Sequence, residues 1–217
     1  MKKTSKNQKI IFIDFDYVLL NTKSFRKEYF RGLGVPEKYA QACYDALLYK
    51  YGRYDPHPYY LLARQVNPRL QYSKLMRVLR ENQSRTKKHI FADCKDFLSF
   101  LSRDNWRVEL VSSGNYAMQK RKIMGSGLAK FFHRIHIVSK THEKGGEIAK
   151  ILNGRNPGFV FIDDVRVIVD DVKKLHPRAL VIQMLRYRGM EHSRRVDAIV
   201  RNFSEARRVI LKYYGKQ

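Results

Sequence analysis

Six short runs rich in β-branched and aromatic residues recur along the chain: IIFI at Ile10, RVELV at Arg107, RIHIV at Arg134, FVFI at Phe159, ALVIQ at Ala179 and DAIV at Asp197. Runs of this length with little polar alternation are the pattern of strands buried on both faces. From Asp93 onward, segments with helical spacing stand between them, such as CKDFLSFLSRD, YAMQKRKIMGSG, EKGGEIAKIL and VIVDDVKKLH, and SEARRVILKYY follows the last run. Strand and helix in regular succession leave few architectures, because right-handed crossovers build a parallel sheet covered by helices on both sides. The expected fold is α/β, a Rossmann-like three-layer core with a mostly parallel sheet.

One stretch breaks the alternation. Between Asn21 and Lys88, the segments FRKEYFRGLG, EKYAQACYDALLYKYG, PYYLLARQV and YSKLMRVLREN read as short amphipathic helices, punctuated by Gly34-Val35-Pro36, Pro56, Pro58 and Pro68. They predict a small helical cap inserted after the first strand, with residues 1–20 and 89–217 forming the core and 21–88 the cap. A chain of 217 residues accommodates one domain with such an insertion. No repeat of 20 to 50 residues is visible.

The N-terminal segment MKKTSKNQKIIFIDFDYVLL has the basic start and apolar run of a secretory signal, but Asp14 and Asp16 interrupt the run, which reads as a strand. No stretch approaches the roughly 18 uninterrupted apolar residues of a membrane span, so no membrane partner is expected. The two cysteines, Cys43 and Cys94, stand too far apart for metal-ligand spacing and give no disulfide framework, which points to a reducing, cytoplasmic setting. The 44 Lys and Arg against 20 Asp and Glu leave a net charge of +24, a field that attracts polyanions.

In open α/β sheets, ligands bind at the carboxyl edge of the strands. Those ends read Asp14-Phe15-Asp16, then Ser112-Ser113-Gly114-Asn115, then Ser139-Lys140, then Asp163-Asp164. Carboxylates brought together from two strands repel one another unless a cation lies between them, and hard oxygen ligands point to Mg²⁺. Such an ion lets an anionic nucleophile approach an anionic phosphate ester. Ser112 stands at a strand end before a glycine and a helix, where a hydroxyl and free backbone N–H groups hold phosphate oxygens, and Ser113 is its neighbouring alternative. Lys144, opening a helix, and Lys140, ending a strand, compete to neutralise the transferring group, and Lys144 is preferred.

The ordered set DFDYV, LVSSGN, a lysine and FIDD resembles the haloacid dehalogenase superfamily of phosphatases and phosphotransferases, and the likeness covers nearly the whole core. By that resemblance Asp14 is the nucleophile that forms an aspartyl-phosphate. Asp16 protonates the leaving oxygen and later activates water. An acid two residues after the nucleophile marks phosphoryl-transfer members rather than dehalogenases. The resemblance also makes Asp14, the Asp16 carbonyl and Asp164 the metal ligands, with Asp163 close behind and Asp170 and Asp171 as outer support. The inserted helices take the place of the family's substrate-selecting cap. Tyr17 stands where Gly is common and Val18 where Thr is, a departure that bears on the substrate.

The expected activity is that of a Mg²⁺-dependent phosphomonoesterase acting on a strongly anionic metabolite, nucleotide or nucleic-acid end. Ser112 and Lys144 complete the catalytic set, and Tyr17, Ser113, Gly114 and Asn115 contact the substrate. Two other readings compete: a nucleic-acid-binding module with little turnover, and a phosphotransferase. The tyrosines of the insert, among them Tyr39, Tyr44, Tyr54, Tyr59 and Tyr60, have the spacing of packing residues. The basic run Arg64, Arg69, Lys74, Arg77, Arg80, Arg85, Lys87 and Lys88 suits either a solvated helix face or a phosphate backbone. The seven histidines show no paired ligand spacing.

Overall fold

Strand β1 (Ile10–Ile13) lies at the centre of the structure, and its side chains show why the run is apolar throughout. Ile11 and Ile13 enter one hydrophobic cluster and Phe12 enters another on the opposite face. The computed structural model describes residues 8–154 and 158–215. After β1 come α1 (Thr22–Leu33), α2 (Glu37–Tyr51), α3 (Pro56–Val66) and α4 (Tyr72–Ser84), and then α5 (Cys94–Arg103). The alternation follows: β2 (Arg107–Ser113), α6 (Tyr116–Gly125), β3 (Arg134–Val138), α7 (Lys144–Leu152), β4 (Phe159–Asp163), α8 (Arg166–Leu175), β5 (Leu180–Met184), β6 (Ala198–Val200) and α9 (Phe203–Tyr214).

The six strands form one sheet in the order β3-β2-β1-β4-β5-β6, every pair parallel. Helices α5 and α9 cover one face through Phe97, Leu101, Phe203 and Ile210. Helices α7 and α8 cover the other through Ile148, Leu152, Val169 and Val172. This is the three-layer α/β architecture that the strand and helix succession predicts. The chain runs outward from β1 toward β3 on one side and toward β6 on the other, so the crevice beyond the carboxyl end of β1 is the switch point where such sheets bind ligands.

The four helices between β1 and α5 have an apolar cluster of their own, built on Tyr29, Phe30, Leu33, Leu47, Tyr59, Leu75 and Leu79. Their ends follow local chemistry. Asn21 caps α1 by accepting from the Ser24 N–H, and Gly34 closes it at φ 68, a left-handed geometry that glycine adopts without steric cost. Asp55 caps α3, and Pro56 occupies its first turn, where no N–H donor is needed. Tyr59 is fully buried and packs among Tyr29, Phe30 and Tyr54. Cys43 and Cys94 are both free. Among the described residues, no helix is long and apolar enough to cross a membrane.

Candidate active site

Register places the first pair of carboxylates. Ile13 pairs with Ile162, so Asp14 and Asp163 leave the sheet side by side, and the Asp14 N–H donates to the Ile162 carbonyl at 2.9 Å. Asp164 follows, and ligand atoms of Asp14, Asp163 and Asp164 all lie within 4.8 Å of one another. All three side chains are buried. Lys144, at the start of α7, is buried with them. Its Nζ lies 2.7 Å from Asp14 Oδ1 and donates a hydrogen bond of 2.7 Å to Asp163 Oδ2. Lys140 is exposed in the turn before that helix, with a backbone N–H bonded to Glu143, so the lysine at the cluster is Lys144.

One ammonium does not balance three carboxylates. Burial, together with repulsion from Asp163 and Asp16, outweighs Lys144 and pushes the Asp14 carboxyl up to about 7. Burial followed by repulsion from Asp163 and Asp14 raises Asp164 well above the usual range. Burial disfavours the charged form of Lys144, but Asp14 and Asp163 reverse this and strengthen its hold on the proton. The donor set is all oxygen, crowded and two positive charges short of neutrality when fully ionised, which fits a hard divalent cation.

Asp16 goes elsewhere. Lys122 Nζ lies 2.8 Å from both of its carboxylate oxygens, Gln119 Nε2 donates to Oδ2 at 2.8 Å, and the Thr22 hydroxyl donates to Oδ1 at 3.0 Å. Burial works to raise its pKa, but Lys122 with these hydrogen bonds overrides it and holds the carboxyl below the usual range. The clustered carboxylates are Asp14, Asp163 and Asp164; the Asp16 side chain is committed to Lys122, which does not bear on the Asp16 backbone carbonyl that the expected metal set uses. Gln119, Lys122 and Thr22 were not anticipated. The available signal was the spacing of Gln119 and Lys122, three residues apart on the helix that Asn115 caps, and so on one face of it.

Ser112 is buried, and its hydroxyl accepts from Gln119 at 2.9 Å. The next three residues, Ser113, Gly114 and Asn115, line a cavity of about 650 Å³ together with Asp14, Asp16, Tyr17, Lys144 and Asp164. Ser113 Oγ lies 3.1 Å from Thr141 Oγ1. Asp170 and Asp171 stand apart. Asp170 accepts from the Ser193 hydroxyl, both line a separate recess with Arg166 and Arg194, and neither hydrogen-bonds to the cluster. The expected outer support from these two residues is therefore not what the structure shows.

A parallel sheet with a buried oxygen-donor cluster at its switch point and a lysine beside it fits a hydrolase built on a Rossmann-like core. The sequence model for haloacid dehalogenase-like hydrolases matches residues 10–156, and the chain belongs to that family. No curated protein matches its sequence. Among solved structures, it is similar to a haloacid dehalogenase-like hydrolase from Burkholderia xenovorans (18% identity, TM-score 0.72, covering 96% of this chain and 99% of that one). It is also similar to the L-2-haloacid dehalogenase from Xanthobacter autotrophicus (14%, TM-score 0.73, 94% and 98%). A third is a HAD-hydrolase from Bacillus subtilis bound to magnesium (13%, TM-score 0.71, 94% and 99%). At these identities the likeness is one of fold.

Proposed function

We propose that the protein is a Mg²⁺-dependent phosphomonoesterase that works through an aspartyl-phosphate on Asp14. The observation that carries this reading is the buried cluster of Asp14, Asp163 and Asp164 with a single lysine. Displacing a halide from carbon needs no divalent cation, and a set of two further carboxylates crowded beside the nucleophile would repel the departing anion. Phosphoryl transfer needs them, because a divalent ion held there screens the nucleophile from the phosphate and stabilises charge on the transferred group. Asp16 argues the same way. A halide leaves without a proton, whereas the alkoxide of a phosphate ester requires one.

In the first step, an Asp14 oxygen attacks phosphorus, the ester P–O bond breaks, and the leaving oxygen takes a proton from Asp16. In the second, Asp16 removes a proton from water, which attacks the same phosphorus, releasing phosphate and restoring Asp14. Lys144 balances negative charge at Asp14 throughout. Ser113, the last residue of β2, and Gly114 and Asn115 beyond it hold phosphate oxygens on the side away from Asp163. In the resting site Asp16 is ionised against Lys122, the state suited to the second step. For the first, the arriving phosphate draws the ammonium of Lys122 toward itself, and Asp16, freed of that cation, takes up a proton from solvent that it then gives to the leaving oxygen.

The test is phosphate release from 4-nitrophenyl phosphate with Mg²⁺ and with EDTA, beside chloride release from 2-chloropropionate. Metal-dependent phosphate release that falls by at least about 10³-fold in Asp14→Asn is expected, with no chloride released. Chloride release without metal would replace this reading with dehalogenation.

A further inference from the structure

The cavity that ends at Asp14 has a second end, walled by the inserted helices, that the two chemical steps leave unused. Arg26 of α1 lies there, one turn beyond Thr22. The centre of its guanidinium stands 4.6 Å from the Tyr44 ring and 5.3 Å from the Tyr17 ring. Its Nε is buried and makes no hydrogen bond, and no carboxylate among the described residues lies within ion-pair distance of it. A buried guanidinium donor without a partner is costly unless a ligand completes it. The nearby acids are engaged elsewhere: Glu37 pairs with Lys27 at 3.7 Å, Asp45 accepts from Gln41 at 2.6 Å, and Glu28 pairs with Lys88 and His89.

Tyr17 supplies an independent observation. Its φ is 59, the left-handed region that glycine enters freely and a side chain with a Cβ enters at a cost. Its N–H is held there by the Thr22 hydroxyl at 3.0 Å. A bulky aromatic kept in such a backbone state beside a ligand cavity points to a role for the ring, and the ring lies against Arg26. Lys23, Lys27 and Arg53 line the same cavity, so with Arg26 the cations from the insert outnumber the two acids it contributes, Glu37 and Asp45.

Resting on the phosphomonoesterase reading, we propose that Arg26, held between Tyr17 and Tyr44, binds a second anionic group on the leaving side of the substrate. The preferred substrates are then phosphomonoesters that carry a separate carboxylate or phosphate. The volume of about 650 Å³ is in the range of cavities that enclose a molecule of nucleotide size.

The test compares matched esters. For a short reach, 4-methylphenyl phosphate is set against 4-carboxyphenyl phosphate and benzene-1,4-diyl bisphosphate; for a long reach, adenosine 5′-monophosphate is set against adenosine 3′,5′-bisphosphate. At one reach or the other, kcat/KM is expected to favour the doubly anionic ester at least about tenfold through KM, the scale of a charged hydrogen bond. That preference ratio collapses in Arg26→Met and is partly kept in Arg26→Lys. The carboxylate and bisphosphate arms show which anion is taken. No preference at either reach, or an equal ratio in wild type and Arg26→Met, overturns the proposal and leaves the reaction untouched. Titration calorimetry of adenosine 3′,5′-bisphosphate separates the opposite case: binding that weakens at least about tenfold in Arg26→Met, in a protein that releases no phosphate from any ester, keeps the subsite and removes the phosphatase.

Discussion

Lys122 lies 106 positions from Asp16 in the chain, yet its ammonium decides the protonation of that carboxyl. Replacing it with methionine removes the cation that overrides burial, so the Asp16 carboxyl rises. The acidic limb of the pH profile for 4-nitrophenyl phosphate hydrolysis is then expected to move to higher pH in Lys122→Met. An unmoved limb would separate Asp16 from proton transfer. Asp14 carries a different dependence. Its carboxyl holds its proton more tightly in the folded protein, at about 7, than the ordinary 3.8. Between those values the folded state binds more protons than the unfolded one, so this group's contribution to stability falls as pH rises. A divalent ion requires ionised ligands and relieves their repulsion. Millimolar Mg²⁺ is therefore expected to raise the melting temperature more at pH 8 than at pH 5. An equal shift at both, or none, would argue against a metal at Asp14, Asp163 and Asp164.

Among the elements, the packing of α4 against α6 joins the insert to the sheet side of the site. Gly125 ends α6 so close to α4 that a Cβ added there would sit 2.1 Å from the Gln83 carbonyl oxygen, backbone that has little room to yield. The same two helices share a hydrogen bond of 2.9 Å from Arg121 Nε to Gln83 Oε1. Gly125→Ala is expected to separate them, costing roughly 1–3 kcal/mol in urea unfolding and lowering turnover, because Gln119 and Lys122 ride on α6. Within the insert, Tyr59→Ala empties the space among Tyr29, Phe30 and Tyr54 and is expected to cost about 3–5 kcal/mol by the same measurement. A loss below about 1 kcal/mol would mean that the four helices do not depend on this cluster.

For the whole molecule, the charge of +24 is unevenly spread. Arg64, Arg69, Lys74, Arg77, Arg80, Arg85 and Lys87 are all exposed on or near α3 and α4 and make no ion pair among the described residues; Glu81 is the acid of that stretch. We expect this surface to attract single-stranded RNA or DNA through phosphate contacts. With about five contacts, the affinity would fall on the order of 10²-fold between 50 and 200 mM salt. Fluorescence anisotropy of a labelled oligonucleotide at the two salt concentrations measures it, and a flat response would reduce the charge to composition.

Much of this architecture was legible in the chain because it is written locally. An unbroken apolar run ending in a carboxylate specifies a strand buried on both faces and an acid at its rim, as IIFID and FVFID show, and capping residues such as Asn21 and Asp55 mark helix starts where they stand. Parallel pairing then follows from the helices between strands, and with it the meeting of Asp14 with Asp163. What the sequence left open were contacts between side chains from different elements. Two lysines competed on spacing alone, and only packing buried Lys144 between the carboxylates while leaving Lys140 in solvent. Helical spacing puts Gln119 and Lys122 on one face. The meeting of that face with Ser112 and Asp16, the separation of Asp170 from the cluster and the place of Arg26 over Tyr17 have no local signature. Each depends on the angle at which one helix crosses another element, and that angle is set by the fit of whole faces.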